Sequence, residues 1–358
     1  MTDLPRNEIL LGDALAQLRR LPTSSVDTTI SSPPFFRQRT YGDYPNQIGL
    51  EDNVDQWVER LRAVMKEVHR VTTPTGSAWL DLGDTYARTL RQGAPAKSLL
   101  LAPERLALAL VGDGWILRSR VIWAKTNPMP ASVTDRLSNT YDVVLHLVKQ
   151  RTYYYDLHSI RVPHRSDQGR KVDRSAGQHR PEWAGPEAGS NSGLKRFRPP
   201  GIPGHLLGKN PGDLWHLPTA HYRGAHYATF PERLVERPIL ATCPPKVCRD
   251  CDTPWRREPG KTFVLGKRQP AGRDPHIRRY PASWRVLHQP GPFVAGCTCQ
   301  AKARPGLVLD PFCGVATVPA VAQRLGRDFL GIELNAEYVD LAWRRLGRSG
   351  APPEEHVA

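Results

Sequence analysis

The chain has 358 residues, 39% of them hydrophobic, which is enough to bury one large core or two modest ones. No apolar run is long enough to span a bilayer: the best candidate, Ser98–Leu117, is broken by Glu104, Arg105 and Asp113. Fifty Lys plus Arg against 35 Asp plus Glu leave a formal charge of +15, which favours a polyanionic partner because every phosphate neutralised releases condensed counterions. The polar opening Thr2, Asp3, Arg6, Asn7 and Glu8 lacks the basic-then-apolar order of an export signal, so a cytoplasmic protein is expected.

Taken in order, Glu8–Leu11 reads as a short strand ending at Gly12-Asp13, and Ala14–Leu21 has helical spacing. Val26–Ser31 is a second strand, stopped by Pro33-Pro34. After a polar loop to Asn53, Val54–Val71 carries Trp57, Val58, Leu61, Val64, Met65 and Val68 on one helical face. Ser77–Leu82 is a predicted strand, Leu99–Val111 a helix, and Trp115–Trp123 and Val143–Val148 further strands. From Arg161 to Gly212 the periodicity disappears into Gly, Pro, Arg, Ser and His, including Lys195-Arg196-Phe197-Arg198, a stretch too long for an ordinary loop. Pro231–Ala241 is helical again, and a second irregular basic segment runs from Lys246 to Arg304. The chain closes with strand Leu307–Leu309, helix Ala316–Leu325, strand Phe329–Ile332 and helix Ala336–Leu346. This alternation predicts an α/β sheet with helices on both faces, assembled from both chain ends and interrupted by two insertions.

Two stretches carry chemistry. Leu307–Gly314 (LVLDPFCG) is an apolar strand running into a tight turn before a helix, where open α/β sheets bind ligands. The next strand ends in Glu333, placed to hydrogen-bond both ribose hydroxyls of a nucleotide-like cofactor; the bland alternative is a strand–turn–helix with a capping Asp. In Ser31-Ser32-Pro33-Pro34-Phe35-Phe36, two prolines fix the backbone after a strand and remove two amide donors, leaving carbonyl oxygens free to accept. An exocyclic base amine is a poor nucleophile because its lone pair is delocalised into the ring. Accepting its hydrogens at the Ser32 hydroxyl and the Pro33 carbonyl would free that lone pair, and Phe35 could stack on a base flipped from the duplex. Alone, this tetrapeptide is as well explained by a Pro-Pro turn with a buried Phe.

Six cysteines without an export signal point to metal or chemistry before disulfides. The pairs Cys248/Cys251 and Cys297/Cys299 have the spacing of two knuckles that close a tetrahedral zinc site; packing cysteines are the alternative. Between them Arg256, Arg257, Lys261, Lys267, Arg268, Arg273, Arg278, Arg279 and Arg285 interleave with Trp255, Tyr280 and Trp284, as a nucleic-acid surface or a solvated basic face would. No Pro-Cys dipeptide occurs, which disfavours a ring-carbon cytosine methyltransferase with its Cys nucleophile, and Cys313 reads as a packing residue.

Together, the Asp310-Pro311-Phe312 and Ser32-Pro33-Pro34-Phe35 motifs resemble those of the DNA amino-methyltransferases of the beta arrangement, in which the catalytic motif precedes the cofactor motif. Gly76–Tyr86 (GSAWLDLGDTY), Val121–Asp135 (VIWAKTNPMPASVTD), Tyr153–Asp156 (YYYD) and Asp213–Leu234 (DLWHLPTAHYRGAHYATFPERL) are similar to that family as well, and fall in its order. The resemblance implies a Rossmann-like, S-adenosylmethionine-dependent α/β sheet with a basic recognition insertion and a small zinc-knuckle insertion. It implies methyl transfer from S-adenosyl-L-methionine to an exocyclic amino group of a flipped base in double-stranded DNA. The setting would be a bacterial, archaeal or virus-infected cell, with a cognate restriction enzyme as a further partner.

Carried over, Ser32, Pro33, Pro34 and Phe35 would be catalytic; Asp310, Phe312 and Gly314 would face the methionine part of the cofactor and Glu333 the ribose. Asp13 would lie near the adenine, and the His226–Pro231 segment, with Phe230, would close over the cofactor. Ser in place of Asp before Pro-Pro leans towards cytosine N4 over adenine N6, by analogy alone. The expected divisions are 1–160 and 305–348 for the catalytic and cofactor parts, 161–212 for target recognition and 213–245 for the segment closing on the cofactor. The cysteine-rich insertion then occupies 246–304, Cys243 is no ligand, and 349–358 is a tail. One departure stands out: Gly314-Val315-Ala316-Thr317 replaces the family's Gly-Ser-Gly-Thr, adding a methyl where backbone would approach cofactor. Only that departure supports the rival from another class, a catalytically weak zinc-dependent DNA-binding protein; an RNA methyltransferase keeps the chemistry and changes the substrate.

Overall fold

The computed structural model describes residues 4–40, 42, 44, 47–163, 208–220, 230–258, 260–265 and 285–347. In chain order its larger elements are β1 (Glu8–Leu11), α1 (Ala14–Arg20), β2 (Val26–Ser31), α2 (Val54–Val71), β3 (Thr72–Leu82) and α3 (Ala102–Gly112). They continue with β4 (Ile116–Lys125), β5 (Tyr141–Val148), β6 (Leu214–Leu217) and α4 (Glu232–Thr242). The short strands β7 (Val247–Cys248), β8 (Arg256–Arg257), β9 (Lys261–Leu265), β10 (Arg285–Gln289), β11 (Phe293–Val294) and β12 (Ala303–Arg304) come next. Last are β13 (Leu307–Asp310), α5 (Thr317–Arg324), β14 (Asp328–Glu333) and α6 (Ala336–Arg345).

One compact unit comprises Met1–Asp156, Gly212–Trp255 and Ala295–Ala358. Its eight-stranded sheet has the order β1-β14-β13-β2-β3-β5-β4-β6, and β5 alone runs against the rest. The two chain ends meet inside this sheet, where β13 lies parallel to β2 with Val308 opposite Thr28 and Leu309 opposite Thr29. Side chains alternate across it. Leu307, Leu309, Leu330, Ile332, Leu80 and Leu82 pack with α2 and α3 on one face, while Val308, Phe329, Ile30 and Trp79 pack with α4, α5 and α6 on the other. Helices therefore cover both faces, and no helix among the described residues is long and apolar enough to cross a membrane.

Several boundaries differ from the periodicity, for local reasons. β3 starts at Thr72 rather than Ser77: Thr72 pairs with Val26, and the register then shifts so that Ser77 faces Thr28. The helix expected from Leu99 begins at Ala102, with Leu101 left-handed at its cap (φ 54°) and Pro103 in the first turn, where proline's missing N–H costs nothing. The strand expected over Trp115–Trp123 runs over Ile116–Lys125, the helix expected from Pro231 has that residue as its cap, and the one expected from Ala316 starts at Thr317. β6 is an edge strand with no counterpart among the expected elements.

The second unit comprises Leu157–Pro211 and Arg256–Val294. Within it β9 pairs antiparallel with β10 and β8 with β11, and the Arg257 guanidinium lies 4.2 Å from the Phe293 ring centroid. Most of the expected target-recognition segment, with Tyr280, Trp284 and His226, lies outside the described residues.

Candidate active site

Parallel strands aim their carboxyl ends at one rim of the sheet, and a crevice opens where the connections diverge. Here β2 continues towards β3 on one side and β13 towards β14 on the other, so the divergence falls between the Ser-Pro-Pro and Asp-Pro-Phe turns. A cleft with about 820 Å³ of atom-free space, part of it open to solvent, lies there. Its wall brings together Ser32, Pro34, Asp13, Phe230, Phe312, Gly314 and Glu333 from the expected site residues; Pro33, Phe35 and Asp310 are not part of it. Gln47, Ile48, Thr317 and Tyr338 line it too, and none had a chemical signal in the sequence.

The cofactor-side turn is held by its acids. The buried Asp310 carboxylate accepts from the Ser31 hydroxyl (2.5 Å) and from the Phe312 N–H (3.1 Å), tying β13 to β2 and bracing the turn from behind. Burial pushes the Asp310 pKa up to about 7, against the two hydrogen bonds and with help from Glu333. Glu333 Oε2 accepts from Gly314 N–H (2.7 Å) and Oε1 from Asn335 N–H (2.9 Å), so each oxygen keeps acceptor capacity for a ligand. Burial raises its pKa as well, opposed by those amides. Gly314 sits at φ 52°, a backbone state that suits glycine. Asp13 caps α1 by accepting from Ala16 N–H (2.9 Å) while facing the cleft.

Ala316 is also left-handed, at φ 62°, at a strain of roughly 1 kcal/mol for a residue with a Cβ. It is fully buried in the core shared with α4, α5 and α6 and is absent from the cleft wall. The methyl that the sequence offered as an obstacle to cofactor is therefore packed in the core and is not on the cleft wall.

On the other side, Pro33-Pro34 ends β2 and leaves Ser32 at the rim. The Pro34 carbonyl accepts from the indole N–H of the fully buried Trp57 (2.9 Å), which anchors the loop to α2. No hydrogen bond among the described residues occupies the Pro33 carbonyl. A methyl on Gly83 would come within 2.7 Å of the Phe35 ring, so a glycine is what lets that ring settle on the end of β3.

The Ser32 hydroxyl donates to Asp81 Oδ2 (3.2 Å), at the end of β3. Asp81 is buried, and its other oxygen has no partner among the described residues. Burial foremost, then the Asp142 carboxylate, raises its pKa well above the usual range, while Lys125 and Ser32 oppose the shift. Lys125 in turn pairs with Asp142 (2.7 Å). No role at the site is readable in the sequence for Asp81, Asp142, Lys125 or Trp57, the last of which reads there only as part of the buried face of α2. Asp81 does lie in the GSAWLDLGDTY stretch, but its contacts come from other strands. A serine backed by a carboxylate of raised proton affinity can accept a hydrogen from an amine and pass a proton inward.

Away from the cleft, the Sγ atoms of Cys248, Cys251, Cys297 and Cys299 all lie within 4.8 Å of one another. Cys243 is buried outside this group. Cys313 is buried within the cofactor turn, against Gly331, and is one of the residues lining the cleft.

The family model described as DNA methylase matches residues 26–250 and 300–344. The chain is 32% identical to the Type II methyltransferase M.XycI of Xanthomonas campestris pv. cyanopsidis, over 94% of this chain and 86% of that protein. To the Type II methyltransferase M.Cfr9I of Citrobacter freundii it is 30% identical, again over 94% and 86%. Among solved structures, PvuII DNA methyltransferase (cytosine-N4-specific) shares the fold at a TM-score of 0.54 and 17% identity, covering 99% of this chain and 89% of that one.

Proposed function

The chain belongs to the DNA methylase family of amino-methyltransferases, and from that premise we propose that it transfers a methyl group from S-adenosyl-L-methionine to an exocyclic amine of a flipped base in duplex DNA. The observation that carries this reading is the common cleft: Ser32 opens onto the same space as Gly314 and Glu333, although some 300 residues separate them in the chain. The cleft suits the cofactor. Glu333 offers acceptors for ribose hydroxyls, Asp13 an acceptor near a purine, Phe230 and Phe312 apolar surface, and the Gly314 turn a close backbone approach. When bound, S-adenosyl-L-methionine supplies an electrophilic methyl group.

The chain's own residues would then act on the amine. The Ser32 hydroxyl and the free Pro33 carbonyl accept its two hydrogens, which turns the lone pair out of conjugation. As the nitrogen becomes positive on methylation, its proton leaves through Ser32 Oγ to Asp81, whose raised proton affinity makes it the acceptor. No covalent bond to the enzyme forms, in keeping with the absence of a Pro-Cys nucleophile. The second unit's Arg256 and Arg257, with the chain's excess positive charge, support DNA contact there. The converged thiols support a structural zinc, apart from the reacting groups. A restriction enzyme of matching specificity would be the partner, by analogy with the type II relatives.

Cytosine N4 is the favoured atom, on the serine before Pro-Pro and the cytosine-N4-specific structural neighbour. Duplex DNA incubated with the protein and cofactor, digested to nucleosides and resolved by mass, tests it. N4-methylcytosine is expected, and methyladenine alone would overturn the cytosine assignment.

A further inference from the structure

The four thiols stand close to bonding arrangement around one ion. Thiolates at the corners of a tetrahedron, each about 2.3 Å from zinc, would be ~3.8 Å apart, and these are held within 4.8 Å. The knuckles match in shape. Cys251 is followed by Asp252 at φ 54° and Cys299 by Gln300 at φ 56°, so a left-handed residue turns the chain back after each pair. Neither is glycine, and such strain persists only where the surroundings over-determine it. Across the first knuckle, the Cys248 carbonyl accepts from Asp252 N–H (3.2 Å) and the Cys248 N–H donates to the Thr253 carbonyl (3.0 Å).

From this knuckle a short path leads into the sheet. Cys248 lies on β7, whose partner β12 sets Ala303 opposite Cys248 and Arg304 opposite Val247. The Arg304 guanidinium reaches both ways: to Asp252 Oδ1 beside the knuckle (2.6 Å) and to Asp27 Oδ2 on β2 (3.3 Å). That same Asp27 oxygen accepts the N–H of Leu307 (2.8 Å), the first residue of β13. Asp27 is buried and Arg304 nearly so, so neither can be re-solvated cheaply if the other moves. β13 ends at Asp310, where the cleft turn begins.

Resting on the zinc and methyltransferase readings above, we infer that Cys248, Cys251, Cys297 and Cys299 form a zinc clip that also positions the cofactor turn. The clip holds Asp252, Asp252 and Asp27 together hold Arg304, and Asp27 holds the start of the strand whose far end cradles the cofactor. The clip is thus a positioning element for cofactor binding as well as the closure of an insertion.

The test uses the full-length protein, purified under reducing conditions without added metal. Bound metals are counted by mass spectrometry, and S-adenosyl-L-methionine binding is measured by equilibrium dialysis without DNA. One zinc per chain is expected, lost from the Cys297→Ser/Cys299→Ser variant and kept by Arg304→Met. Stripping zinc with a chelator is expected to weaken cofactor binding about tenfold, zinc add-back to restore it, and Arg304→Met to weaken it similarly with zinc in place. Should Arg304→Met fail to fold, Asp252→Asn alters only a half-exposed acid and is expected to weaken binding about threefold. Stoichiometric zinc with binding unchanged after stripping and in these variants overturns the coupling and leaves the clip. Wild-type protein holding iron or no metal overturns the clip. Wild type that binds no S-adenosyl-L-methionine overturns the methyltransferase reading and the coupling with it.

Discussion

Replacing Asp81 by Asn keeps the shape of the side chain and removes its capacity to take a proton. Asp81 accepts the Ser32 hydroxyl at 3.2 Å, and burial together with Asp142 raises its pKa well above the usual carboxylate range. A hydrogen bond to a charged acceptor contributes roughly 1.5–3 kcal/mol, which is about 10- to 150-fold in rate. Asp81→Asn should therefore lower kcat by that factor. The cofactor KM should not change, because Asp81 is not on the cleft wall. Wild-type kcat should rise with pH as Asp81 gives up its proton, above the ordinary carboxylate range, and the variant should lose that limb. Stability moves the opposite way. A carboxyl whose folded pKa is raised contributes stability below its unfolded pKa and loses it as pH rises through the folded one, so Asp81→Asn should gain on the wild type towards alkaline pH. Single-turnover methyl transfer across the pH range, with urea unfolding at both ends of it, measures both effects. A variant with wild-type kcat and an intact pH limb would refute the proton path.

Three other substitutions probe the frame of the site. Trp57→Phe leaves the Pro34 carbonyl without its donor; a loss of about 1–3 kcal/mol in unfolding free energy is expected, with a fall in kcat, and a variant unchanged in both would show that the indole does not anchor the loop. Asp310→Asn removes a carboxyl whose pKa burial pushes up to about 7. In the wild type this group's stability contribution is lost as pH rises from the unfolded value towards 7, so the variant should gain on it between about pH 4 and 7, by at most about 4 kcal/mol; a pH-independent difference in urea unfolding contradicts this. Gly331→Ala would bring a methyl within 2.7 Å of Cys313 Sγ; a loss of about 1–3 kcal/mol is expected, recovered when Cys313→Ala is added, and thermal unfolding of the double variant decides whether that sulfur is the obstacle.

What the sequence could reveal was whatever a local pattern encodes. Trp57 to Val68 lie on one helical face because α2 buries that face against the sheet. The short runs at Val26, Leu307 and Phe329 are legible because central parallel strands are covered on both sides. β6 is not legible: four residues on a sheet edge, with Leu214 and His216 outside the core, have no period to read. The start of β3 is hidden by Pro74 and Gly76, which look like a turn and instead form its register shift. Within the site, the two turns were readable as motifs, while the groups that give them function were not. Trp57 passes for an ordinary core residue, and its bond to Pro34 spans a loop. The raised proton affinity of Asp81 comes from burial first and then from Asp142, brought beside it by β5, with Lys125 on β4 opposing it, and none of these is local in the chain. The burial of Ala316 in the core, on a left-handed backbone, is likewise something composition does not encode.

The central claim is that the Ser-Pro-Pro and Asp-Pro-Phe turns, from opposite ends of the chain, form one amino-methyltransferase site. It is tested most directly by single-turnover methyl transfer to duplex DNA, with cofactor binding measured on the same preparations of wild type and Ser32→Ala. The account predicts a base methylated on its exocyclic amine by the wild type, and a Ser32→Ala variant that binds S-adenosyl-L-methionine normally while transferring at least about 100-fold more slowly. Transfer by Ser32→Ala at the wild-type rate, or a wild type that methylates a ring carbon or nothing at all, would contradict it.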